Sequence, residues 1–153
     1  MGMRIIISTA LVAATVIGAS AAEAAVAPGT FTGQTSAKDP LGITVSGSRV
    51  TNAYFEGVHM RCTDEDQYDT LKGKYRMQAK SRARIGSSRR FKVKKTTHGG
   101  ASTWTLAGRF NARGASASGT LSIHQRFNIQ NYLDPKGSIT CDSGKIKFTV
   151  SRR

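Results

Sequence analysis

Apolar and polar residues alternate with a period of two along most of the chain beyond residue 24. Because successive side chains of a β-strand point to opposite faces of a sheet, this period predicts strands with one buried face. No segment in this region shows the 3.6-residue period of an amphipathic helix. The alternating segments are 49–62, 103–110, 119–125 and 145–151, with shorter ones at 30–35 and 42–46.

The apolar positions of these segments are the predicted core. In the first long segment they are Val50, Tyr54, Val58, Met60 and Cys62. In the later segments they are Trp104, Leu106, Phe110, Leu121, Ile123, Ile146, Phe148 and Val150. A β-bulge is expected at Glu56-Gly57, because a glycine interrupts the alternation there. Eight or nine short strands separated by turn residues predict an all-β domain, either an antiparallel β-sandwich or a closed β-barrel.

Residues 1–24 follow a different pattern. Arg4 precedes an apolar run that ends near Ile17, and Ala22-Glu23-Ala24 satisfies the small-x-small rule for signal peptidase. This arrangement predicts a cleavable secretory signal peptide, with cleavage before Ala25. The alternative is a membrane anchor, but the apolar run is shorter than the ~20 residues that a membrane span needs. We therefore expect one secreted domain over 25–153, with no transmembrane segment after cleavage.

The chain contains two cysteines, Cys62 and Cys141. In an exported protein such a pair predicts a disulfide bond. A zinc site would need a further thiol or histidine at ligand spacing from either cysteine, and the sequence has none.

Charge is the strongest functional signal in the sequence, because 23 Lys and Arg against 9 Asp and Glu give a formal net charge of +14. Between residues 72 and 95 there is no acidic residue, and nearly every second residue is basic. We interpret this segment as a long hairpin with one cationic face and an apolar face packed inward. The cations of that face are Lys72, Lys74, Arg76, Lys80, Arg82, Arg84, Arg90, Lys92 and Lys94.

A cationic sheet face of this density attracts polyanions. The alternative is a solvated outer face, on which lysines also deter edge-to-edge aggregation. We expect a noncatalytic extracellular binding module whose partner is an anionic cell-envelope polymer or another extracellular polyanion. Tyr75, Phe91 and Trp104 fall on the inward face, so sequence-specific nucleic-acid recognition is not expected. The sequence predicts no cofactor.

Catalytic signatures are weak. The three histidines, His59, His98 and His124, are scattered, and neither a G-x-S-x-G nor an H-E-x-x-H motif occurs. A small secreted hydrolase stays as an alternative, since a catalytic triad requires only spatial neighbours.

Two loops and an acidic run define the remaining alternatives. A secreted inhibitor or effector would act through a loop at 111–118 or 128–137. The acidic run at 64–69 is interpreted as an exposed turn, because it lacks the glycine and the final glutamate of an EF-hand calcium loop.

Three motifs resemble those of uncharacterised secreted proteins of high-GC Gram-positive bacteria. They are Gly-Thr-Phe-Thr-Gly-Gln-Thr at 29–35, Ile-Thr-Val at 43–45 followed by a strand to Cys62, and Gly-Ser-Ile-Thr-Cys-Asp-Ser-Gly at 137–144. The resemblance implies export and a β fold, and it implies no catalytic residues.

Overall fold

A computed structural model describes residues 25–64, 73–97, 101–128 and 138–153, so the predicted signal peptide at 1–24 lies outside the described residues. The described chain forms nine antiparallel strands, which confirms the all-β prediction. None of these residues belongs to a helix that could cross a membrane. The strands are β1 Gly29–Thr35, β2 Pro40–Ser46, β3 Arg49–Asp64, β4 Gly73–Arg84, β5 Arg90–Thr97, β6 Ser102–Phe110, β7 Ser116–Asn128, β8 Ser138–Asp142 and β9 Ile146–Arg152.

The strands form one sheet in the order β4-β3-β2-β1-β9-β7-β6-β5. Strand β8 pairs with the far ends of β3 and β7, beyond the residues at which those strands pair with β2 and β9. The two ends of the order, β4 and β5, are joined by no ladder within the described residues. Hydrogen bonds therefore do not close the described sheet between β4 and β5.

The sheet nevertheless curls until its two halves share one core. The rings of Phe55 on β3 and Trp104 on β6 meet edge to face, with centroids 5.5 Å apart. Phe31 on β1 meets Phe110 on β6 in the same way at 5.1 Å. These pairs join strands that are not neighbours in the sheet, so each inner face is covered by the other.

Most predicted core positions are confirmed by burial, and Ile146 is partly buried against the core. The prediction for Tyr54 is wrong, because this side chain lies on the outer face while Phe55 is buried. The cause is a register shift between Val50 and Asn52, which reverses the alternation along β3. The expected bulge at Glu56-Gly57 is confirmed by a second shift, and it returns the following apolar residues to the core.

The predicted disulfide between Cys62 and Cys141 is confirmed. The two cysteines face each other in the ladder between β3 and β8, with their Cα atoms 3.9 Å apart. They are 79 residues apart in sequence, so the chain-entropy model gives the bond about 4–5 kcal/mol of stabilisation. Both sulfurs are consumed by this bond, which leaves no thiolate for zinc.

The segment 72–95 is not the long hairpin that the sequence predicts. Strand β4 pairs with β3 and strand β5 pairs with β6, so the two strands stand at opposite ends of the sheet order. The alternation within each strand is nevertheless confirmed where the side chains are described, because Ala79, Ile85, Phe91 and Val93 are buried. Each strand buries its apolar face in the common core, and each finds its hydrogen-bond partner in a different strand.

Candidate anion-binding surface

The connection between β4 and β5 brings two cations to the same end of the molecule. Strand β4 ends at Arg84, the chain reverses over 85–89, and strand β5 begins at Arg90. The Gly86 N–H donates to the Arg90 carbonyl at 2.9 Å, which closes the reversal. Buried Ile85 anchors it, since the Ile85 N–H donates to the Ser48 carbonyl at 2.8 Å in the turn between β2 and β3.

Strand pairing then places an arginine opposite each of these two cations. Arg90 lies opposite Arg109 in the β5–β6 ladder, and Arg84 lies opposite Arg49 in the β3–β4 ladder. Residues directly opposite each other on neighbouring strands have Cβ atoms about 4.5–5.5 Å apart, and like charges there are destabilising. All four side chains are exposed, so water and salt reduce this repulsion without removing it.

A surface groove of about 710 Å³ joins cations from three strands. We call it the β4–β6 groove, and its cations are Arg84, Arg90, Lys92 and Arg109. None of these four forms an ion pair with a carboxylate of the described residues. Two acids of the described residues are engaged elsewhere in the fold, since Asp39 is buried against the Thr35 hydroxyl and Asp142 pairs with His124.

A second groove, of about 790 Å³, lies on the outer face of β2, β3 and β4. We call it the β2–β4 groove, and it holds Lys80 and Arg82 among neutral side chains. The neutral side chains are those of Thr44, Thr51, Asn52, Gln78 and Ser81. The Arg82 backbone is held in place by Arg49, whose guanidinium donates to the Arg82 carbonyl at 3.1 Å.

The structure thus separates the predicted cationic face into several parts. Five of the nine predicted cations line the two grooves, and Lys94 is exposed opposite Thr105, outside both grooves. Lys74 and Arg76 lie on β4 opposite His59 and Glu56, but their side chains are not among those described. Lys72 lies outside the described residues.

Arg109 is the cation that the sequence reasoning missed. Its segment alternates clearly, so the pattern does place it on the outer face opposite to Trp104 and Leu106. The pattern contains no information about which strand lies beside β6, and only the β5–β6 ladder brings Arg109 next to Arg90.

The two histidines that the structure describes, His59 and His124, do not form an enclosed catalytic centre. His124 Nδ1 lies 3.2 Å from Asp142 Oδ2, but the two side chains are 57% and 58% exposed. Neither residue lines either groove. His59 is exposed on β3, and His98 lies outside the described residues. The part of the chain that the structure describes contains no group of three His, Cys, Asp or Glu side chains able to hold a metal ion.

The structure describes only part of the two loops through which an inhibitor or effector would act, at 111–118 and 128–137, and only part of the acidic run at 64–69. Residues 111–115 form a tight turn, in which the Asn111 side chain accepts a hydrogen bond from the Ala115 N–H at 2.9 Å. Residues 129–137, and 65–69 of the acidic run, lie outside the described residues.

Comparison with known proteins does not identify a relative. No protein family, curated protein or solved structure matches this chain. The resemblance to secreted proteins of high-GC Gram-positive bacteria stays a prediction from its motifs.

Proposed function

We propose that this protein is a secreted, noncatalytic module that binds an anionic cell-envelope polymer or another extracellular polyanion on its basic outer face. One observation carries the proposal: Arg84, Arg90, Lys92 and Arg109 line a common groove and form no ion pair with any acid that the structure describes. The signal-like residues 1–24 and the Cys62–Cys141 disulfide support a location outside the cytosol, where a disulfide persists.

The charge arrangement supports binding over mere solubility. Solubility requires net charge, but it does not require arginines directly opposite each other on neighbouring strands. Such pairs cost stability, and a bound polyanion removes the cost by neutralising both members. Three of the four groove cations are arginines, whose planar guanidinium group binds carboxylate, sulfate or phosphate with two parallel hydrogen bonds.

Salt-dependent binding to heparin tests the proposal. The purified, disulfide-bonded protein is titrated with heparin at several salt concentrations, alongside a variant carrying Arg90→Gln, Lys92→Gln and Arg109→Gln. The slope of log affinity against log salt is negative, and each ionic contact that is lost reduces its magnitude by about one. We expect the magnitude of the slope to be smaller by about two to three in the groove variant.

A matched control carries Lys38→Gln, Arg61→Gln and Lys145→Gln. These residues are exposed and lie outside both grooves, so the control loses the same formal charge. We expect its slope to change by less than about one. Equal losses in the two variants would show that heparin senses only net charge, and the proposed groove would be wrong.

A further inference from the structure

The β2–β4 groove differs from the β4–β6 groove in its chemistry. It contains two cations and five neutral hydroxyl or amide side chains. Lys80 lies directly opposite Asn52 in the β3–β4 ladder, so a cation and an amide stand side by side. A site that binds phosphate or sulfate by charge alone does not require hydroxyl and amide side chains beside its cations.

Several of these neutral side chains have hydrogen-bonding capacity that the fold does not use. The Oδ1 atom of Asn52 is buried and accepts no hydrogen bond from the described residues. Thr51 donates to the Thr44 carbonyl at 3.3 Å, which leaves the lone pairs of its hydroxyl oxygen available. Gln78 is exposed at the end of the groove that lies toward Tyr54. A buried acceptor without a donor is costly. If the Asn52 amide turns toward the groove, a ligand hydroxyl can donate to this oxygen and remove the cost.

An aromatic ring lies beside these side chains on the same outer face. Tyr54 stands opposite Gln78 on β4 and opposite Gly42 on β2. Its ring covers Gly42, since a Cβ atom at that position would lie 2.7 Å from Tyr54 Cζ. The Tyr54 ring therefore packs directly on Gly42, and any residue with a Cβ atom at that position would displace the ring. An apolar ring face next to a few placed polar groups orients a ligand that has both kinds of surface.

The cations connect this groove with the other one. Lys80, Arg82 and Arg84 occupy every second position near the end of β4, and all three are exposed. Lys80 and Arg82 line the β2–β4 groove, and Arg84 lines the β4–β6 groove. A chain molecule that carries repeated negative charges could contact all three in succession.

We propose that the polyanion is an acidic polysaccharide, and that the β2–β4 groove binds its sugar hydroxyls through Thr51, Asn52 and Gln78. Its carboxylate or sulfate groups contact Lys80 and Arg82, and Tyr54 packs against a sugar ring. This inference rests on the proposed function and adds the class of ligand. A polyphosphate would use the cations and leave the hydroxyl and amide side chains without a partner.

The test separates hydrogen bonding from charge. The double variant Thr51→Val and Gln78→Met removes two hydrogen-bonding groups with little change in side-chain shape and none in charge. The matched control is Thr105→Val and Gln34→Met, two outer-face residues that line neither groove. Each protein is titrated calorimetrically with a heparin oligosaccharide and with a linear polyphosphate of the same net charge.

We expect the variant Thr51→Val and Gln78→Met to bind heparin about tenfold to a hundredfold more weakly, because each of its two lost neutral hydrogen bonds contributes about threefold to tenfold in affinity. Its affinity for polyphosphate and its salt slope should stay unchanged, and the control should bind both polymers like the wild type. The inference is overturned if the variant loses affinity equally for both polymers, or if it binds heparin like the wild type. It is also overturned if the wild-type protein binds polyphosphate and not heparin. In each case polyanion binding itself remains. If the wild type binds neither polymer, the proposed function itself is wrong.

Discussion

Arg109 and Arg90 face each other across the β5–β6 ladder, and replacing one of them by an acid turns a repulsive pair into an attractive one. The perturbation is Arg109→Glu. A cross-strand charge pair changes stability by roughly 0.2–1 kcal/mol. Reversing one charge removes a repulsion and adds an attraction of similar size, so the expected change is about twice this value. Because both side chains are exposed, we use the lower part of this range and expect the free energy of unfolding to rise by about 1 kcal/mol at low salt.

Urea unfolding monitored by tryptophan fluorescence measures this change. Trp104 is the one tryptophan of the chain and is 1% exposed, so unfolding transfers its indole from the core to water. At 1 M salt the screening length falls to about 3 Å, and we expect most of the difference from the wild type to disappear. The same variant should lose affinity for heparin, because Arg109 lines the β4–β6 groove.

Two control variants separate the pair from the overall charge. Lys145→Glu makes the same change in net charge at an exposed residue outside the grooves, and we expect it to stabilise the protein by less. Arg109→Gln removes the repulsion without adding attraction, so its effect should be about half that of Arg109→Glu. The reasoning is refuted if Arg109→Glu destabilises the protein at low salt, or if its stabilisation is as large at 1 M salt.

Three further predictions concern the fold. Phe55→Ala should cost about 3–5 kcal/mol of stability in urea unfolding and Tyr54→Ala clearly less, and the reverse order would contradict the register shift in β3. Gly108→Ala should cost about 1–3 kcal/mol, because a Cβ there would lie 2.8 Å from a backbone oxygen and 2.9 and 3.0 Å from two phenylalanine rings. If Gly108→Ala unfolds at the same urea concentration as the wild type, the residues around position 108 move to accommodate the Cβ atom. Replacing Cys62 and Cys141 together by serine should lower stability by up to about 4–5 kcal/mol, whereas an unchanged midpoint would show that the disulfide does not constrain the unfolded chain.

The cations of the two grooves show which part of the candidate site could be predicted from the sequence. That Lys80, Arg82, Arg84, Arg90 and Lys92 point away from the core follows from alternation within each strand, and the structure agrees. Their grouping does not follow, because the sequence suggested one hairpin while β4 and β5 pair with different strands. Side-chain direction depends on the residue's own strand, whereas the distance between two cations depends on which strands become neighbours.

The strand period, the turn residues and the two cysteines by themselves determined an all-β chain with a buried disulfide and outward cations. These properties are local, or they follow from the chemistry of a single residue type. The tertiary structure decided the strand order, the reversal of alternation along β3 and the position of Arg109 beside Arg90. The physical reason is that pairing and register are chosen by the whole core, since every apolar face must be covered and every strand must find hydrogen-bond partners at the same time.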